Sequence, residues 1–404
     1  MFAERLGGQN FGKDTTLYKF AAIKKAKEEA KKLHPNLPLI DMGVGEPDLP
    51  ADPGIVNILA QEAGKPENRG YADNGIFEFQ EAAAQYMEQV YQVKGIDPAT
   101  QIIHGIGSKP ILAMLPLCFI NPGDVILATT PGYPVAGTYT RYLGGEVYPL
   151  PLNQANNFYP VLDNIPAEIL KRAKMLYINY PNNPTGQVAT RSFYQDVVEF
   201  AHRNQLVVIS DAAYGALTFD GTPPLSFLSI DGALDIGIEV QSLSKAFNMT
   251  GWRLAFAAGN HEIMKAYGMV KDNTDSGQFR AIQKAGVYAL NHPELTRNYC
   301  ERYSRRFNLL VKALNETGFK AVKPKGSFYC YVRAPKGTQS GIKFQSAAEA
   351  ANFLIKNTLI STVPWDDAGA YLRFSVTFEA KDEVEEKKMI DELKSRLIKL
   401  KLIF

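Results

Sequence analysis

Between about residue 100 and residue 260 the chain repeats one pattern. A short run of β-branched and aliphatic residues ends on a polar residue, and a stretch with helical spacing follows. Runs of this kind are too apolar for strands with one wet face; they suit a parallel sheet buried on both sides by helices. The runs are Gln101–His104, Asp124–Thr129, Lys174–Asn179, Gln205–Ser210 and Ile236–Gln241, with a helix over Arg191–Arg203. Leu254–Ala258 reads as a strand running back beneath them. In an open α/β sheet ligands bind beyond the carboxyl ends of the strands. Asn183, Asp211 and Lys245 each stand just after such a run, so one sheet can gather them into one pocket.

A chain of 404 residues exceeds what one hydrophobic core usually supports, so two domains are expected. The pattern changes near residue 280. A helix over Glu294–Asn315 precedes short strands at Ser327–Val332 and Tyr371–Val376, and an amphipathic helix runs from Lys381 to near Lys401. The expected division is a large α/β domain over 46–284 and a smaller α+β domain built from 1–45 plus 285–404.

Lys+Arg 44 against Asp+Glu 42 leaves a formal net charge of +2, which provides no electrostatic footprint for nucleic acid or a membrane surface. Lys24–Lys32 alternates with Ala and Glu and reads as the wet face of a helix. Cys118, Cys300 and Cys330 are too few and too scattered for a disulfide framework or a zinc site, and the five histidines show no ligand spacing, so no metal is expected. The N-terminal stretch lacks the apolar core of a signal peptide. The most apolar run, Ile111–Ile120, is about half the length a bilayer requires. A cytoplasmic enzyme is the expectation.

The strongest local signal is Ser242-Leu243-Ser244-Lys245-Ala246-Phe247-Asn248-Met249-Thr250-Gly251-Trp252-Arg253. A lysine that reacts through its amine must be partly deprotonated, and burial and nearby positive charge promote this. Ser242, Ser244 and Arg253 could bind a phosphate through directed hydrogen bonds and a cationic fork. Taken alone, a lysine after a strand is more often an inert surface residue; its surroundings carry the argument. Gly105-Ile106-Gly107-Ser108-Lys109-Pro110 superficially matches a dinucleotide fingerprint, but Pro110 stands at the third glycine. It reads better as a turn whose backbone N–H groups open the Ile111 helix and bind an anion, with Pro110 in the first turn, where no N–H is needed.

The Ser242–Arg253 segment resembles the lysine segment of fold-type I aminotransferases of class I/II, which depend on pyridoxal 5′-phosphate (PLP). Pro181-Asn182-Asn183-Pro184-Thr185-Gly186 is similar to their P-x-N-P-T-G turn, and Asp211-Ala212-Ala213-Tyr214 to their D-x-x-Y. The motifs follow in order along most of the chain. The resemblance implies the PLP-transferase fold, with a mostly parallel seven-stranded sheet, and assigns roles. Lys245 would hold PLP through its amine, and Asp211 would keep the pyridine nitrogen protonated so that the ring accepts electrons. Asn183 and Tyr214 would bond the phenolic oxygen, and Tyr133 would cover the ring, unless it is only a buried turn tyrosine. Ser108, Lys109, Ser242, Ser244 and Arg253 would hold the phosphate, joined by Tyr71 from the partner subunit of a homodimer with shared active sites. Arg373 would grip the substrate α-carboxylate bidentately, the alternative being an edge-strand arginine facing water. Gly45, Asn183 and Tyr18 would complete the substrate site.

Ile40–Asp48, Asn248–Arg253 and Asp272–Phe279 further resemble the LL-diaminopimelate aminotransferase family. That implies transamination between LL-diaminopimelate and 2-oxoglutarate in lysine biosynthesis. Aspartate, alanine or aromatic aminotransferases are the alternatives, with a PLP β-lyase or a non-catalytic regulator on the same fold further off. No residue is identified for the distal end of the substrate; Lys271 and the neighbourhood of Asn273 are the loose candidates.

Overall fold

The computed structural model describes residues 2–13 and 19–404, and the chain divides into two compact units. The larger comprises 46–304 and 325–327, the smaller 1–45, 305–324 and 328–404.

The larger unit is organised by a seven-stranded sheet. Its strands are β1 (Ile102–Gly105), β2 (Val125–Thr130), β3 (Glu146–Pro151), β4 (Ala173–Asn179), β5 (Val207–Asp211), β6 (Gly237–Ser242) and β7 (Ala255–Gly259). They lie in the order β1-β7-β6-β5-β4-β2-β3. Neighbours are parallel except at β7, which is antiparallel to both β6 and β1. The strand expected to run back beneath the others is thus a member of the sheet. Its small residues allow this: a Cβ on Gly259 would strike the backbone of Gly237 and Ile238 on β6.

Alternation along each strand feeds two cores, one per face. Met175, Tyr177, Ile209, Ile238, Val240, Ala255 and Ala257 pack on one side. Leu176, Ile178, Val208, Phe256 and Ala258 pack on the other. The edge strand β3 was not evident from sequence. It carries Pro149 and Pro151, tolerable on an edge where the missing N–H leaves no ladder bond unmade.

The expected boundary after 284 falls elsewhere. Helix Arg280–Leu290 packs on helix Pro53–Ala63 so closely that a Cβ at Gly54 would overlap the Tyr288 ring, and Gly286 meets Leu254 and Phe79. Helix Leu295–Glu316 contributes its residues through Ser304 to the larger unit, where Arg302 pairs with Asp48 at 2.9 Å. Contacts override chain order here.

In the smaller unit, β8 (Tyr329–Arg333), β9 (Val363–Trp365) and β10 (Tyr371–Ser375) form an antiparallel sheet with β10 in the middle. The C-terminal helix Glu383–Lys399 starts at Asp382, whose side chain caps Glu385 N–H. Its Glu386 is fully buried and binds Arg306 Nε at 2.8 Å and Arg305 Nε at 3.0 Å. Burial pushes this carboxyl up, but the two guanidiniums outweigh it and hold it below the ordinary glutamate range.

Candidate active site

Strands β1, β4, β5 and β6 deliver the polar residues of the larger unit from their carboxyl ends, as an α/β sheet requires. After β1 the chain turns at Gly107, whose φ of 83° favours glycine, and helix Ser108–Phe119 begins. A Cβ at Gly107 would run into the Arg253 guanidinium. The Arg253 guanidinium therefore packs against the helix N-terminus at a closeness that only a residue without a side chain allows. Arg253 itself adopts φ 57°, uncommon for a non-glycine residue. Gln278 Nε2 donates to the carbonyls of Trp252 and Arg253, at 2.8 and 2.7 Å, and pins that backbone. The guanidinium donates to Thr250 O at 2.8 Å and reaches Ser244 Oγ at 3.5 Å. An uncapped helix N-terminus, the Ser244 hydroxyl and a guanidinium are thus brought together, a set of groups that could hold a phosphate. The Lys109 ammonium lies 5.9 Å from the Tyr133 ring centroid.

Lys245 sits, half-buried, on the short helical turn Leu243–Ala246 after β6. Ser242 caps the turn by accepting from Ser244 N–H, Thr250 Oγ1 donates to Ser244 O, and Thr296 Oγ1 to Ala246 O. The backbone around the lysine is thus fixed from three sides.

Asp211 ends β5. It is buried, and burial pushes its carboxyl up to about 6; the Tyr177 hydroxyl and the Ala213 N–H pull the other way. Tyr177 donates to Oδ2 at 2.8 Å, and Ala213 N–H donates to Oδ1 at 3.2 Å. Among the described residues no cation pairs with Asp211. Neither Tyr177 nor Asn179 stood out in the sequence. Asn179 Nδ2 donates to Asp211 O at 2.8 Å while its Oδ1 accepts from Asn183 N–H at 2.9 Å, so one amide ties the Asn183 turn to β5. Tyr214 is buried just beyond, in the turn after Asp211.

Tyr71 is 78% exposed on a segment sewn to 271–280. Arg280 donates to Tyr71 O through Nε and Nη2, at 3.1 and 2.6 Å. Lys271 Nζ donates to Asp73 O at 2.9 Å and pairs with Asp275 at 2.6 Å. With its side chain 1% exposed, Lys271 is a structural strut and not a group reaching for substrate.

In the smaller unit Arg373 occupies the central strand and is buried, which removes the alternative of an edge arginine facing water. Its guanidinium stacks 3.9 Å from the Tyr329 ring centroid and donates to Gly43 O at 3.2 Å. Gly45 lies alongside: a Cβ there would meet Tyr329 Oη at 3.1 Å and Arg373 Nη2 at 3.9 Å. Tyr18 lies outside the described residues.

The family model described as aminotransferase class I and II matches residues 38–386. The chain belongs to this family.

Among its relatives, an LL-diaminopimelate aminotransferase of Methanocaldococcus jannaschii is 57% identical, covering 100% of this chain and 98% of that protein. One of Methanococcus maripaludis is 53% identical over the same shares. The solved substrate-bound structure of BacF from Bacillus subtilis superposes with a TM-score of 0.88 at 32% identity, covering 100% of this chain and 98% of that one. These class I and II aminotransferases depend on PLP. The larger unit fits that group on two observations. Gly107 lets the Arg253 guanidinium lie against the uncapped helix N-terminus, a cationic, N–H-rich corner suited to a phosphate, and among the described residues no cation pairs with the buried Asp211 carboxylate, a charge that a protonated pyridine nitrogen would supply. Among the described residues no helix is long and apolar enough to cross a membrane.

Proposed function

We propose that this aminotransferase is a cytoplasmic, homodimeric LL-diaminopimelate aminotransferase that binds PLP at Lys245 and uses 2-oxoglutarate as its second substrate. The observation that carries the substrate is the 57% identity to a full-length relative of that name.

When bound, PLP supplies an electron sink for the negative charge that develops at the substrate Cα. The remaining work falls to the chain. Lys245 Nζ holds the cofactor, then takes the proton from Cα and returns it. Asp211, ionised by pairing with the pyridine N–H, keeps the ring electron-poor. Asn183 and Tyr214 hydrogen-bond the phenolic oxygen, and Tyr133 covers the ring face. Ser108, Lys109, Ser242, Ser244 and Arg253 hold the phosphate, together with Tyr71 of the partner subunit. Arg373 receives the α-carboxylate, its fork matching two oxygens, with Gly45, Asn183 and Tyr18 lining the substrate. The glycine at 45 suits that role, because a side chain there would press on Tyr329 Oη, whose ring stacks on the guanidinium.

The test is a panel assay of the PLP-loaded protein with 2-oxoglutarate and, separately, LL-diaminopimelate, aspartate, alanine and tyrosine. Glutamate forms fastest with LL-diaminopimelate. Preference for aspartate or tyrosine would contradict the substrate, and product formation without glutamate would point to a lyase.

A further inference from the structure

We infer that Tyr177 is a positioning residue for the reaction: its phenol holds Asp211 in the orientation and charge state in which Asp211 can serve the pyridine nitrogen. This rests on the reading that Asp211 faces that nitrogen.

The geometry is specific. Tyr177 and Asp211 stand on adjacent parallel strands, with Tyr177 opposite Ile209 and Asn179 opposite Asp211. Alternation therefore puts the tyrosine and the aspartate on the same face, one diagonal step apart. The hydroxyl donates to Oδ2 at 2.8 Å, and the carboxylate's other donor, Ala213 N–H, reaches Oδ1 at 3.2 Å. One oxygen is thus tied down by the phenol. The other keeps acceptor capacity for a ligand N–H.

Toward an ionised carboxylate, which only accepts, Tyr177 can only donate. It is fully buried, and burial, reinforced by the Asp211 charge, drives its own ionisation far above the ordinary range. The titratable groups that face it are Asp211, Tyr133 and Tyr214. A hydrogen bond to the charged form favours that form. Removing the phenol leaves burial less opposed, so Asp211 holds its own proton more tightly. In the cofactor-bound site the proton then shifts from the ring nitrogen toward the carboxylate, and the ring becomes a weaker electron sink. The donor is absent from the sequence signal because Tyr177 lies inside an apolar strand and reads as core.

The variant is Tyr177→Phe, which keeps the ring that packs the core. The control is Tyr180→Phe, which removes another buried phenol from the same chain segment, one that donates to Phe158 O at 2.8 Å. Two readouts are needed. In the cofactor-free protein, carbon-13 NMR of the labelled aspartate carboxyls follows Asp211, whose resonance is assigned through Asp211→Asn. Its midpoint near 6 in the wild type moves up by about one unit in Tyr177→Phe and stays in Tyr180→Phe. In the loaded protein, PLP labelled with nitrogen-15 in the ring reports protonation directly. The protonated fraction at neutral pH drops in Tyr177→Phe only, and kcat falls about ten- to hundredfold with KM nearly unchanged.

An unchanged carboxyl midpoint, or an unchanged ring protonation despite a shifted midpoint, would overturn the inference. If the wild-type ring is itself unprotonated, the reading that Asp211 faces it fails and takes the inference with it. In that case the carboxyl midpoint still moves, so the two failures are distinguishable. If Tyr177→Phe does not fold, Tyr177→Met takes its place and is read by the same two measurements, with the same expected and overturning results.

Discussion

Two carboxylates stand on adjacent strands of the central sheet and are treated in opposite ways. Glu239, on β6, is fully buried and accepts four hydrogen bonds, two on each oxygen. Ser226 Oγ and Gln241 Nε2 bind Oε1, and Ser210 Oγ and Phe227 N–H bind Oε2. Asp211, on β5, accepts one bond on each oxygen. Both are raised by burial. The register pairs Ser210 with Glu239 and Asp211 with Val240, so the two carboxylates point to opposite faces. A carboxylate used to tie strands and loops together has its lone pairs filled. One kept for a ligand does not, and the cofactor-free protein bears the cost of burying it.

That difference can be broken from either side. The largest effect is expected for Glu239→Ala, which strands four buried donors and opens a cavity. It should lower unfolding stability by about 3–5 kcal/mol in chemical denaturation. A loss under about 1 kcal/mol would show that the network is not structural. The smaller effect has the opposite sign. Asp211 is raised from 3.8 to about 6 by burial, so the folded protein holds its proton more tightly than the unfolded chain. The stability this contributes is fully present below pH 3.8 and is lost as pH rises through about 6. At neutral pH the ionised group is therefore a burden, and Asp211→Asn should stabilise the cofactor-free protein by on the order of 1–2 kcal/mol. The gain should vanish near pH 4, and transamination should collapse. Destabilisation at neutral pH would mean that Asp211 is held like Glu239.

Much of this was legible in the sequence, for physical reasons. Strands buried on both faces need continuous apolar runs, and those runs ended where Asp211, Asn183 and Lys245 stand. For Arg373 the apolar flanks pointed to a buried guanidinium in need of partners, and the structure buries it on the central strand against Gly43 O and the Tyr329 ring. Tyr177 and Asn179 were not legible, because a phenol or amide within a strand acquires meaning only from the neighbouring strand's register. Lys271 was misleading in the other direction: a lysine near a candidate site reads as a ligand group until its carboxylate, Asp275, and its carbonyl, Asp73 O, are seen. The boundary after 284 failed because helix packing, not chain order, allots residues 285–304 to the larger unit.

The central claim is that Lys245 carries the cofactor beside Asp211. Borohydride reduction of the PLP-loaded protein, followed by proteolysis and mass spectrometry, tests it most directly. A pyridoxyl group confined to the peptide containing Lys245, and lost in Lys245→Ala, is the predicted result. A label scattered over other lysines, or undiminished in Lys245→Ala, would contradict it.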